Sequence, residues 1–165
     1  MSGSKELEPI ALTREEGEAL WFLGGLAIVK AAGETTGGRC AIIEFHAPRG
    51  NGAPLHMHTR EDEWFYVLEG ELTFWIGGRV IKAAACAFVY GPRGVPHTFV
   101  VSSEESRFLL GVEPAGFENF MRALGEPAKA LSLPPPADKP PDIAHLTKVA
   151  ADYGIQVLGP PGIPK

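Results

Sequence analysis

Cysteine is scarce in this chain: two in 165 residues, Cys40 and Cys86, with no CxxC spacing. That usage points to reduced thiols in a cytoplasmic, bacterial-type setting rather than a disulfide framework. No window reaches the roughly 18 consecutive apolar residues that a membrane span needs. The opening "MSGSKELEP" has no apolar stretch, so no secretory signal is expected. Positive charge is also short. A formal net charge of -5 leaves no electrostatic footprint for nucleic acid, and no helix-turn-helix segment argues for a regulator. What remains, with 45% apolar and 21% charged residues, is an ordinary globular composition able to bury one core.

The chain divides into three parts. Residues 1–19 form a polar N-terminal segment, in which Thr13 with Glu16 three residues on suggests a single capped turn. Residues 20–113 hold short apolar runs, such as "RCAIIEFHAP", "EWFYVLEG" and "HTFVVSS", recurring about every ten residues between Gly, Pro and Asn-Gly punctuation. That spacing predicts an all-β sandwich or barrel. "ELTFWIGGRVI" reads as a hairpin turned at Gly77-Gly78. Residues 114–165 change period. Phe117, Phe120, Met121 and Leu124 make one face of a short helix ending near Gly125. The Pro-rich stretch 132–142 is an extended linker. A second helix with Ile143, Leu146, Ala150 and Tyr153 on one stripe precedes a closing strand, "IQVLGPP".

Histidine is scarce too, at five residues, yet two of them stand together in "APLHMHTREDEWFYVLEG". On a strand, His56 and His58 point to one face, and two adjacent imidazoles can reach one ion. A carboxylate then has to come from a neighbouring strand, and spacing alone leaves Glu61, Asp62 and Glu63 open. His97 follows the rigid bend "YGPRGVP" and opens another strand. Three imidazoles and one carboxylate suit Mn, Fe, Co, Ni, Cu or Zn and disfavour Ca or Mg.

These residues resemble the cupin superfamily. The first cupin motif is matched as Gly50, His56, His58, Glu63 and Gly70 in register, and the second as Pro92-x-Gly94-x-x-His97. Two positions depart from it: Cys86 stands where a glycine is usual, and Val101 where an asparagine is usual. "GEALWFLGGLAIVKA", "PAGFENF" and "YGIQVLGPP" extend the resemblance, over roughly residues 17 to 160, to single-domain quercetin dioxygenase-like cupins. The resemblance implies an all-β jelly-roll barrel with short C-terminal helices. It implies one divalent transition metal ion held by His56, His58, Glu63 and His97, with Asp62 the alternative carboxylate.

The activity so implied is that of a metal-dependent dioxygenase on a small aromatic or enolic, flavonol-like substrate bound as an oxyanion. Glu63 would serve as ligand and proton acceptor, its pKa raised by a dry pocket. Non-redox isomerisation, cyclisation or decarboxylation, or ligand binding without turnover, are the alternatives. Phe65, Phe88 and Phe99 are candidates to line the substrate pocket. Glu61 and Asp62 are expected on a solvated loop under Arg60. Trp64, Tyr66, Phe74 and Trp75 are expected in the core or a dimer interface, His46 and His145 at the surface, and Cys86 as a small buried residue. The expected assembly is a homodimer that covers the barrel's edge strands.

Overall fold

The computed structural model describes residues 6–165; the first five residues of the expected N-terminal segment lie outside them. In chain order the elements are β1 (Glu18–Phe22), β2 (Gly25–Ala31), the single-turn α1 (Gly33–Thr36), β3 (Ala41–Pro48), β4 (Pro54–His58) and β5 (Asp62–Glu69). They continue with β6 (Glu71–Ile76), β7 (Arg79–Ala84), β8 (Phe88–Gly91), β9 (His97–Val101) and β10 (Glu105–Glu113). The C-terminal part contributes α2 (Phe117–Leu124), β11 (Glu126–Pro127), α3 (Ile143–Asp152) and β12 (Ile155–Pro161). No helix among the described residues is long and apolar enough to cross a membrane.

Two antiparallel sheets carry the architecture. One runs β11-β1-β2-β3-β10-β5-β8, the other β12-β4-β9-β6-β7. This is the expected jelly roll, built as two facing sheets rather than one closed ladder. Both sheets draw strands from beyond Glu113, because β11 pairs with β1 and β12 with β4.

Period-2 alternation explains which face is buried. On β6, Leu72, Phe74 and Ile76 point inward, while Glu71, Thr73 and Trp75 lie nearer solvent. Phe65, Phe74, Phe99 and Phe108 form the centre of the core, with ring centroids 4.9–6.2 Å apart. Such tilted and edge-on contacts stabilise beyond the apolar area alone. Gly77 and Gly78 take φ of 54° and 90° at the β6–β7 hairpin, the two positive values that a tight two-residue turn requires.

Several expectations change at the outer surface. Trp64 and Tyr66 fall on the outward parity of β5, beside Phe88 and Tyr90 on β8, so only Phe74 of the expected aromatic set is fully buried. Cys86 is exposed, because its φ of 69° turns the chain between β7 and β8 and throws the side chain outward. Ile143 also lies exposed, while Leu146 and Ala150 carry the buried stripe of α3. His46 bonds Glu105 at 2.7 Å near the surface, and His145 lies exposed in the first turn of α3. Thr13 and Glu16 make the capped turn, with Thr13 N–H donating to Glu16 Oε2 at 2.7 Å.

Candidate metal centre

The two sheets each contribute to the histidine site. His56 and His58 project inward from β4, and His97 from β9 directly opposite His56 in the ladder. Glu63 arrives from β5 in the other sheet. All four side chains are buried, and one ligand atom from each lies within 4.8 Å of the other three. His97 Nε2 sits 2.8 Å from Glu63 Oε2, and His58 Nε2 lies 3.5 Å from the same oxygen. Of the three adjacent acids, Glu63 is the one that reaches this point. Asp62, one residue earlier, has the opposite parity and forms an outward ion pair with Arg93 at 2.9 Å. That pairing, through hydrogen bonds from Arg93, holds the Asp62 carboxyl down to about 2.

The far side of each imidazole decides what the near side can do. His56 Nδ1 lies 2.7 Å from the Pro54 carbonyl, and His97 Nδ1 lies 2.9 Å from the Val95 carbonyl. A carbonyl only accepts, so each Nδ1 carries a proton; His56 thereby presents a bare Nε2 lone pair inward, and His97 does so once the proton it shares with Glu63 is displaced. His58 Nδ1 faces a carboxylate, Glu61 Oε2, at 3.3 Å, with the same consequence. His56 Nε2 and His58 Nε2 then face each other at 3.2 Å. Two lone pairs at that distance repel unless a positive charge stands between them. The donor set therefore fits a divalent transition metal, whose imidazole ligands commonly have their other nitrogen anchored in this way.

Electrostatics agree with that reading. Burial, reinforced by the neighbouring His97 and His58 rings, pushes His56 down to about 3, so its nitrogen stays unprotonated. For His97, burial is outweighed by the hydrogen bond and charge of Glu63, and the pKa rises. For Glu63, burial alone would raise the carboxyl, yet the surrounding imidazoles overcome it and hold it at about 2. The upward shift expected of Glu63 is thus reversed. A carboxyl held so low is a ligand first; accepting a proton would require its release from the imidazoles.

An apolar cavity opens onto the centre. Its wall includes His56 and Glu63, with Asn51 as a further polar side chain, and six phenylalanines: Phe22, Phe45, Phe99, Phe108, Phe117 and Phe120. Of the three phenylalanines expected to line it, Phe99 does so. Phe65 is one layer away in the aromatic core, and Phe88 is 61% exposed on the outer face, because it pairs with Tyr66 on outward parity. Besides Phe22, Phe45 and Phe108 of the sheets, the lining missed by sequence comes from the C-terminal part: Phe117, Phe120 and Met121 of α2, Leu146 and Ala150 of α3, and Ile155 and Val157 of β12. Their helical and strand patterns signalled burial, but not against what. Glu61, expected in solvent, is buried at 4% exposure. Arg60 does not cover it and instead donates to the Asp152 carbonyl at 3.3 Å.

Comparison with known proteins finds a family match over part of the chain. The cupin domain family matches residues 43–112, which span β3 through β10 and contain all four converging side chains. This stretch matches the cupin domain, and the chain as a whole resembles single-domain cupins. It resembles the quercetin dioxygenase-like members: a quercetin 2,3-dioxygenase of Bacillus subtilis is 29% identical over 126 residues, covering 76% of this chain. The matched stretch makes up only 37% of that relative. Among solved structures, an RmlC-like cupin from Shewanella frigidimarina superposes with a TM-score of 0.57 at 17% identity, covering 68% of this chain and 96% of that chain. A predicted oxalate decarboxylase from Thermotoga maritima gives 0.56 at 19% identity, covering 65% and 99%. At such identities the likeness speaks for the fold alone.

Proposed function

We propose that this protein is a metal-dependent dioxygenase acting on a small aromatic or enolic compound. The observation that carries the reading is the convergence of three anchored imidazoles and one carboxylate on the wall of a phenylalanine-lined cavity. His56, His58, Glu63 and His97 would hold one divalent transition ion. Such an ion supplies a Lewis acid for an enol or phenol oxygen, with positions left open for dioxygen.

The protein's own groups do the rest. Six phenylalanine rings favour a flat apolar molecule and exclude water, which strengthens every charge interaction at the centre. Glu63 stays ionised and offsets part of the ion's charge. His56, uncharged down to about pH 3, keeps its Nε2 available across the working range. The similarity to a quercetin 2,3-dioxygenase supports a flavonol-like enol as the first substrate to try.

The test is an oxygen electrode with metal-reconstituted protein and a flavonol or catechol-type enol. The expected result is dioxygen uptake in step with substrate loss. Substrate conversion without uptake would replace this reading with a non-redox, Lewis-acid one. Thermal stabilisation by the compound without any conversion would replace it with a binding module.

A further inference from the structure

Glu61 is a buried carboxylate that the proposed chemistry leaves without a task. It sits in the turn between β4 and β5, where both neighbours reach the surface and a solvated conformation is close at hand. Nevertheless it turns inward, 4% exposed, against a His58 ring that is 1% exposed. Among the described residues, His58 is its recorded side-chain hydrogen-bond partner, Nδ1 to Oε2 at 3.3 Å. A buried charge is costly unless something compensates it.

The turn is held so that Glu61 has to face this way. Thr59 donates to the Gly154 carbonyl twice, from its backbone N–H at 2.9 Å and its hydroxyl at 2.7 Å. Arg60 lies along Gly154 and Asp152. On the other side, Asp62 is fixed outward by Arg93. Residue 116 opposite is glycine, and a Cβ there would crowd the carboxylate, standing 3.2 Å from Glu61 Oε1.

We propose that Glu61 is the positioning residue of His58, fixing its ring and its inward lone pair for the metal ion; this rests on the metal reading of the site above. His56 and His97 lean on backbone carbonyls, so of the three rings only His58 has a carboxyl side chain behind its Nδ1. A carboxylate behind a ligating imidazole makes that imidazole the stronger donor.

The test titrates Co(II) into metal-free protein and follows both the dissociation constant and the visible ligand-field bands. Glu61→Ala should weaken Co(II) binding roughly 10–100-fold and shift the bands, as loss of an outer partner typically does. Glu61→Gln keeps a hydrogen-bond acceptor without the charge and should fall between Ala and the parent. Asp62→Asn removes a nearby charge that faces outward and should leave the constant unchanged. A purely structural Glu61 would lower the melting temperature of the metal-free protein and leave Co(II) affinity and spectrum as in the parent; that outcome overturns the proposal. If the parent fails to bind Co(II), or His58→Ala binds it equally well, the metal reading falls first and this inference with it.

Discussion

Glu63 Oε2 and His97 Nε2 lie 2.8 Å apart in the core, and without a metal ion the link between them is a proton. His97 is raised above its ordinary value of 6.5 by this partner, whereas His56 is held at about 3. An entering ion must displace the His97 proton but finds His56 already bare. Metal affinity should therefore rise with pH and level off once the pH passes the raised His97 value. Calorimetry of Zn(II) binding at pH 6.5 in two buffers of different ionisation enthalpy should detect net proton release on binding. Equal heats in both buffers would contradict the arrangement. The sign for stability is opposite. The pair stabilises the metal-free fold fully below pH 6.5, and that contribution fades as pH rises through the raised value.

Removing one ligand should empty the centre while sparing the fold. His58 meets Glu63 and His56 through Nε2, and its ring packs edge-on against Phe117 at 5.4 Å. His58→Ala deletes a ligand outright, so its effect on metal affinity should exceed the roughly 10–100-fold loss typical of an outer partner. Elemental analysis should fall from one ion per chain to a small fraction of that. Circular dichroism should keep the β signature, because the phenylalanine core lies apart from this ring. Unchanged metal content would refute the ligand assignment.

Strand parity put His56 and His58 on one face before any coordinates, but spacing left the acid open, and only the resemblance to the cupin motifs singled out Glu63 and His97 to complete the set. Glu61 shows where that reading stopped short. The inward parity of Glu63, Phe65 and Val67 continues one step upstream to Glu61, ahead of the strand itself. An acid ahead of a strand reads as solvated, and only the clamp of Thr59 and Arg60 on Gly154 turns it inward. Phe88 misleads for the converse reason. Its strand pairs with β5 at the edge of the sheet, so an aromatic on the outer parity stays in solvent. The cavity wall was out of reach for a third reason. Pairing of β12 with β4 joins residues about a hundred positions apart, His56 with Val157 among them, and no local pattern encodes that.

Filling the cavity should separate ligand binding from metal binding. Val157 lines it from β12 and is only partly buried, so a larger side chain there can be accommodated with less strain than at fully buried Ala150. Val157→Trp should keep metal content and weaken binding of a flat aromatic compound by at least about tenfold, roughly 1.4 kcal/mol. Ligand-induced thermal shifts of parent and variant, both metal-loaded, would measure this. Equal shifts would mean that the compound binds elsewhere.

Cys86 offers a test of stability that leaves the centre untouched. It occupies the position where the motif usually carries glycine, and its backbone keeps the conformation that glycine would favour, with φ of 69° and its N–H donating to the Val67 carbonyl at 2.8 Å. A left-handed conformation costs an L-residue roughly 1–2 kcal/mol. Glycine removes that cost but loses more chain entropy on folding, about 0.5–1 kcal/mol. The balance favours Cys86→Gly by about 0.5–1 kcal/mol, or about 1–4 °C in melting temperature for a chain of this size. Cys86→Val should move the other way, because a branched side chain tolerates positive φ least. The exposed thiol makes no core contact that either change would remove. If calorimetry found glycine neutral or destabilising, the β7–β8 turn would not hold residue 86 in the left-handed region in solution.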